Sequence, residues 1–214
     1  AINQGVKKVL LISTDKAVQP INLYGSTKLC AEKLFISGNS YSPEQSTFSV
    51  VRYGNVIGSR GSIIETLINN KSSKTQITDL NMTRFWITLG QSLALVIYAL
   101  ENMIGGEIFV PKIPSMKLVD LFDALAPAAE KEIIGIRPGE KLHEALLIQE
   151  EAKHSLELDD CYVILPEFIF SASVKLALAK YSGQGKRLAE DFIFSSDTNQ
   201  SWLTKIDLLK LIKP

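Results

Sequence analysis

One short stretch near the start of the chain, STDKAVQPINLYGSTK at residues 13–28, holds Thr14, Asp15, Lys16, Tyr24 and Lys28. Tyr24 and Lys28 are four residues apart, so on a helix they share a face about one turn from each other. An ammonium beside a phenol favours the phenolate, which can accept a proton from a sugar or alcohol hydroxyl. Thr14 can hydrogen-bond the same hydroxyl. Asp15 and Lys16 form a second acid–amine couple beside the first. Oxidising one hydroxyl needs one proton acceptor. Two adjacent couples suit a reaction that takes a proton from carbon as well as from oxygen, an elimination coupled to an oxidation. The plainer alternative is that Asp15 accepts turn hydrogen bonds beside a solvated Lys16. With 6 tyrosines in the chain, a Tyr-x-x-x-Lys spacing arises easily by chance, and its setting is what gives it weight.

That setting is a strand, a proline turn and a helix. KKVLLIS (7–13) is a continuous aliphatic run of the kind that enters a parallel sheet covered on both faces. Thr14, Asp15 and Lys16 then lie at its carboxyl end, where open α/β sheets bind ligands. Pro20 and Asn22 open a helix whose expected apolar face is Leu23, Leu29, Ala31 and Leu34. TFSVVRY (47–53) predicts a second strand ending at Gly54-Asn55, and helices are expected over 63–70 and 89–102. The alternation predicts βαβ units and a doubly wound parallel sheet over residues 1–104. Residues 105–214 read as a smaller α+β lobe interleaved with the first part. Strands are expected at 107–110 and 132–136, extended chain over 156–172, and helices at 116–125, 140–153 and 202–212.

The 214 residues are enough to bury a core, and 46% hydrophobic with 21% charged residues is the balance of a soluble globular protein. A formal net charge of +0 counts against a nucleic-acid footprint or a basic membrane-binding face. The longest apolar run, residues 93–100, is far short of a bilayer span. Cys30 and Cys161 are too few for a disulfide scaffold or a zinc site, so a reducing cytoplasm is expected.

Five ordered segments carry a family resemblance: STDKAVQPINLYGSTKLCAEKLF, FSVVRYGNVIGSRGS, MTRFWIT, GGEIFVPKIPSMK and IGIRPGEKLHE. Together they resemble the extended short-chain dehydrogenase/reductase superfamily. Within it they most resemble the inverting UDP-N-acetylglucosamine 4,6-dehydratases that begin pseudaminic acid synthesis. Membrane-bound relatives carry methionine where this chain has Tyr24, so NLYGSTK points to the tyrosine-bearing branch. The resemblance implies a Rossmann-like α/β fold, NADP as cofactor, a UDP-sugar as substrate, a cytoplasmic lyase and a homo-oligomer.

By that resemblance Thr14, Tyr24 and Lys28 form the dehydrogenase triad, with Tyr24 and Lys28 also touching the cofactor. Lys16 matches the base that takes the C5 proton, and Asp15 the acid that helps the C6 hydroxyl leave as water. Asn55 matches an asparagine facing the sugar nucleotide. Arg84, Arg137 and Glu140 match diphosphate and ribose contacts, roles that suit a guanidinium fork and a carboxylate. Arg60, between Gly58 and Gly61, either meets the ligand or closes a loop. His143 is expected to be packed or solvated. Two other readings stay open: another nucleotide-sugar dehydratase or epimerase, and a non-catalytic sugar-nucleotide-binding module.

The family opens on a strand, a glycine-rich turn and a helix that hold the dinucleotide diphosphate. Residues 1–214 contain no G-x-G-x-x-G in that setting, and Gly54, Gly58 and Gly61 have the wrong spacing. The expectation is therefore the carboxyl-terminal part of a longer enzyme, without turnover by itself.

Overall fold

A computed structural model describes residues 1–41, 45–69, 73–167, 175, 178–179, 181 and 183–212. The chain folds into two compact units, each assembled from three separate stretches. Ala1–Tyr53, Leu93–Lys112 and Ala145–Phe194 form one; Gly54–Ser92, Ile113–Glu144 and Ser195–Pro214 form the other.

In the first unit the aliphatic run makes a strand, Lys8–Thr14 (β1), and a helix follows at Leu23–Gly38 (α1). Asn22 is extended at the start of α1, and its side chain accepts from the Gly25 amide at 2.8 Å, satisfying one of the helix's free donors. The strand Thr47–Tyr53 (β2) runs parallel to β1, in register from Lys8↔Thr47 to Thr14↔Tyr53. Ile108–Pro111 continues the parallel half on the far side of β2. Cys161–Ile164, Ser155–Glu157 and Lys186–Arg187 then complete a six-stranded sheet in antiparallel fashion. The parallel sheet expected from the alternation is thus one half of a mixed sheet.

The inner strands β2, Ile108–Pro111 and Cys161–Ile164 are buried on both faces, whereas β1, at the sheet edge, is only partly covered and leaves Ile12 exposed, which corrects the reading of its run as a strand covered on both sides. On one face Phe48 of β2 meets Phe35 of α1 edge-on, with ring centroids 6.0 Å apart. On the other, Val51, Phe109 and Val163 pack with Leu95, Ala99 and Met103 near the end of the helix Leu89–Asn102. Each such fully buried aliphatic or aromatic side chain contributes roughly 1.5–3 kcal/mol. The expected face of α1 is corrected: Leu23 and Leu34 are exposed, and the helix buries Gly25, Glu32 and Gly38. A buried carboxylate with partners competes with leucine for that face, and apolar periodicity does not register it.

The second unit joins the strands Asn55–Val56, Thr83–Ile87 and Ser115–Lys117 in one sheet, and pairs Lys74–Ile77 with Glu130–Ile133 in another. Its core gathers Ile64, Leu67, Met82, Trp86, Met116, Leu121 and Leu208. The helix expected over 140–153 is not formed. That stretch gives a strand, Ala145–Leu147, and a short helix, Gln149–Ala152, both assigned to the first unit. Leu146 and Leu147 are adjacent and both fully buried, an arrangement that suits a strand covered on both faces. Residues 168–172 of the expected extended chain lie outside the described residues. Among the described residues no helix is long and apolar enough to cross a membrane.

Burial within the first unit has a pH signature. It pushes the Cys161 thiol up to about 12, with the Asp160 carboxylate adding to the rise. It also raises the phenols of Tyr53, Tyr98, Tyr162 and Tyr181. The folded state therefore holds protons that the unfolded chain releases, and stability falls as pH climbs through that interval. The urea midpoint is expected to be flat from about pH 7 to 8.5 and to drop between about pH 9 and 11. A midpoint unchanged across the upper interval would contradict the buried thiol and phenols.

Candidate active site

A single 3-10 turn, Asp15–Ala17, follows β1 directly, and the extended Thr14 caps it. Thr14 Oγ1 donates to Asp15 Oδ1 at 2.8 Å, and Lys16 Nζ donates to the same oxygen at 3.0 Å. The Lys16 amide donates to Thr14 Oγ1 at 3.4 Å. Asp15 is wholly buried, and its Oδ2 has no hydrogen-bond partner among the described residues. An unmet buried carboxylate oxygen is costly, and this is the atom at which Asp15 can meet a ligand or carry a proton.

Tyr24 lies on the first turn of α1 and is half-exposed. Lys28 follows one turn later, its Nζ donating to the Ile12 carbonyl at 3.1 Å. Between them Gly25 is buried against the turn: a Cβ there would stand 2.1 Å from the Lys16 carbonyl oxygen. The acid–amine couple and the phenol–amine couple thus meet through backbone contact.

Sequence reasoning missed Tyr53. It ends β2 in register with Thr14, and its phenol is raised by burial and, second, by the phenol of Tyr24. Tyr53 is therefore held protonated, a hydrogen-bond donor close to Tyr24. Only the strand register, which the sequence does not display, brings it there.

A buried ionic set lies beneath. Ser13 Oγ donates to Glu32 Oε1 at 2.5 Å. Arg52 donates to Glu32 through Nε at 3.1 Å and Nη2 at 2.6 Å. It also reaches both oxygens of Glu151, at 3.0 and 2.9 Å, and the Leu146 carbonyl at 3.0 Å. Burial alone would lower the pKa of Arg52, but the Glu32 and Glu151 carboxylates outweigh it and hold the guanidinium charged. The signals for this set were a charged residue inside a buried run, SVVRY, and a glutamate one turn past Lys28.

In the second unit Asn55 pairs in register with Trp86. Arg84 is buried, with Nη1 donating to the carbonyls of Thr83 at 2.7 Å and Leu142 at 3.1 Å, and Nη2 to that of Lys141 at 2.8 Å. Nη2 also lies 3.6 Å from Glu140 Oε1, whose partner oxygen Oε2 is buried without a hydrogen bond among the described residues. The Glu140 amide closes a turn onto the Arg137 carbonyl at 3.0 Å. Arg84 and Glu140 are therefore brought together, whereas Arg137 and Arg60 are exposed. Arg60 sits between Gly58 and Gly61, whose φ of 77° and 70° lie in the left-handed region that favours glycine. His143 Nδ1 shares a 2.8 Å hydrogen bond with Thr83 Oγ1, a packed position.

The phenol of Tyr24 and the ammonium of Lys28 thus stand one turn apart on α1, with Lys28 reaching the carboxyl-terminal half of β1, the end at which open α/β sheets bind ligands. The profile of the polysaccharide biosynthesis protein family matches residues 1–166, and the chain belongs to that family. It is 44% identical to the UDP-N-acetylglucosamine 4,6-dehydratase (inverting) of Campylobacter jejuni over 97% of this chain and 64% of the relative. The likeness read from the five motifs is borne out. A UDP-glucose 4-epimerase of Rickettsia massiliae is 40% identical over 90% of this chain and 58% of its own length. Among solved structures, Pen from Bacillus thuringiensis superposes with a TM-score of 0.84 at 37% identity, covering 99% of this chain and 64% of that one. DesIV, a dTDP-glucose 4,6-dehydratase from Streptomyces venezuelae with NAD bound, shares the fold at 17% identity, with a TM-score of 0.57 over 66% of this chain and 52% of its own. The Rossmann-like α/β class holds. The chain spans 64% of the length of the dehydratase and of Pen.

Proposed function

We propose that the whole protein is a hydro-lyase that dehydrates UDP-N-acetylglucosamine and inverts C5, giving a UDP-4-keto-6-deoxy-L-sugar for pseudaminic acid synthesis. Tyr24 takes the proton of O4, with the Lys28 ammonium offsetting the charge and Thr14 hydrogen-bonding the same oxygen. A nicotinamide dinucleotide, NADP in this reading, would be held by Tyr24 and Lys28 and would supply the hydride chemistry that oxidises C4 and reduces C6. Once the proton shared in the Asp15–Lys16 pair has passed to the carboxylate, the neutral Lys16 amine removes the C5 proton that the 4-ketone has made acidic. Asp15 gives a proton to the C6 hydroxyl, the C6–O bond breaks and water leaves. A proton returned to C5 on the opposite face inverts that carbon, and the net change is the loss of one water. Asn55, Arg60, Arg84, Arg137 and Glu140 meet the UDP portion. In this reading residues 1–104 contribute to the cofactor domain, residues 105–214 form mainly the substrate lobe, and the enzyme works in the cytoplasm as a homo-oligomer.

The observation that carries this reading is the Asp15–Lys16 ion pair at the end of β1, capped by Thr14 and covered by α1. The likeness to a 4-epimerase favours a second reading, but a 4-epimerase takes no proton from C5 and leaves this pair without work. Proton NMR of the whole protein with NADP and UDP-N-acetylglucosamine in deuterated water separates them. The expected product is a 4-keto-6-deoxy sugar inverted at C5 and carrying deuterium there. An unchanged C6 with epimerised C4 supports the epimerase, and binding without any conversion supports a non-catalytic module.

A further inference from the structure

We infer that Tyr53 is a hydrogen-bond donor to the sugar oxygen at C4, and that its work falls on the enolate formed when C5 loses its proton. This inference rests on the proposed function and adds a group that stabilises its charged intermediate.

Paired residues of a parallel sheet point to the same face, and successive residues of a strand to opposite faces. Ser13 and Arg52 are paired, and both reach Glu32 of α1. The next pair, Thr14 and Tyr53, therefore shares the other face, at the carboxyl ends of β1 and β2. The Tyr53 ring packs against the core cluster of Val51 and Phe109, and the residue stays half-buried. Tyr24 at the head of α1 is near enough for its charge to act on the Tyr53 phenol, yet the two hydroxyls do not bond to each other. An oxygen standing between them accepts from Tyr53 while giving its own proton to Tyr24.

O4 needs such a donor because its other neighbours have their protons engaged. Thr14 has one hydroxyl proton and donates it to Asp15 Oδ1 at 2.8 Å, so while that bond holds it adds no donor to O4. Lys28 Nζ donates to the Ile12 carbonyl. Oxidation at C4 ends in a neutral ketone, but removal of the C5 proton drives negative charge onto O4, where a fixed donor is worth most. The C5–H bond breaks, its electron pair spreads to O4, and Tyr53 keeps its own proton throughout. The charged groups nearby are engaged elsewhere, Arg52 with Glu32 and Glu151, and Asp15 with Lys16. Burial and the Tyr24 phenol hold Tyr53 protonated, and burial does the same for Tyr98 on the helix packed against this core.

The test is Tyr53→Phe in the whole protein with NADP and UDP-N-acetylglucosamine in deuterated water, followed by NMR. Both kcat and deuterium uptake at C5 are expected to fall roughly tenfold, the worth of one hydrogen bond to a developing charge. KM is expected to stay within about threefold, because the bond gains its strength after the substrate is bound. An unchanged kcat, or a rise in KM alone, overturns the inference. A second variant keeps the fold and the ring: a fluorinated tyrosine at position 53, whose phenol is more acidic. A donor works only while protonated, so the fall of kcat at alkaline pH must move to lower pH in this variant. A purely structural ring would leave that fall where it is, and an unmoved profile overturns the inference even if Tyr53→Phe does not fold. A wild type that forms no 4-keto-6-deoxy product defeats the proposed function instead, and the inference with it.

Discussion

Replacing Arg52 by methionine is expected to destabilise the protein by about 3–5 kcal/mol, a large share of the stability of any domain of this size. Arg52 occupies β2 in the middle of the sheet and is almost fully buried, as is Glu32. Its guanidinium faces two carboxylates, so removing it strands Glu32 in a dry interior with only the Ser13 hydroxyl as donor. The Leu146 carbonyl loses its donor as well. Unpaired buried charge, rather than lost attraction, dominates the cost. The pairing has a consequence for order of replacement: adding Glu32→Leu to Arg52→Met is expected to recover much of the loss, because the stranded charge disappears with its partner. Urea unfolding of the wild type, the Arg52→Met and Glu32→Leu single variants and the double variant reads this directly. A single variant within about 1 kcal/mol of the wild type, or a double variant worse than the sum of its parts, would show that this ionic set does not hold α1 to the strands.

Much of this was legible in the sequence because the signals were strong and local. KVLLIST formed the expected strand, although at the edge of the sheet it is only partly covered and Ile12 is exposed; Pro20 and Asn22 marked the start of α1, and the helix Leu89–Asn102 ended where its glycines said it would. The Thr14–Asp15–Lys16 set was legible as a group because it is contiguous, and the fold had only to turn it once. What escaped was non-local. Glu32 and Arg52 look like surface charges until strand pairing brings Arg52 over α1, and then burying the glutamate becomes favourable while Leu23 and Leu34 stay outside. Tyr53 is silent until register aligns it with Thr14. The segment after Pro138-Gly139 has helical spacing of apolar residues, yet sheet burial on two sides makes Leu146 and Leu147 a strand. Arg84 matched a diphosphate contact by resemblance; what the sequence did not display is that three carbonyls and Glu140 also draw on its guanidinium.

Tyr24→Phe is expected to lower kcat/KM of the whole protein by roughly 10²–10⁴, the span of a lost acid–base group, with little change in KM. The ring remains, so packing and the capped start of α1 are kept; only the oxygen proposed to exchange the O4 proton is gone. Because the C5 proton becomes acidic only after C4 is a ketone, the loss must appear in both signals at once. Cofactor reduction and deuterium uptake at C5 should fall together. This separates Tyr24 from Lys16, whose replacement by methionine should stop C5 exchange while leaving C4 oxidation measurable. It also separates Tyr24 from its neighbour. The Tyr53 phenol is held protonated by burial and by Tyr24, so it can donate a hydrogen bond but is poorly placed to act as the base. Tyr53→Phe is therefore expected to cost far less than Tyr24→Phe. If Tyr24→Phe keeps activity within a few-fold of the wild type, or if Tyr53→Phe is the more damaging change, the proton leaves O4 by another route and the phenol at the head of α1 is not the base.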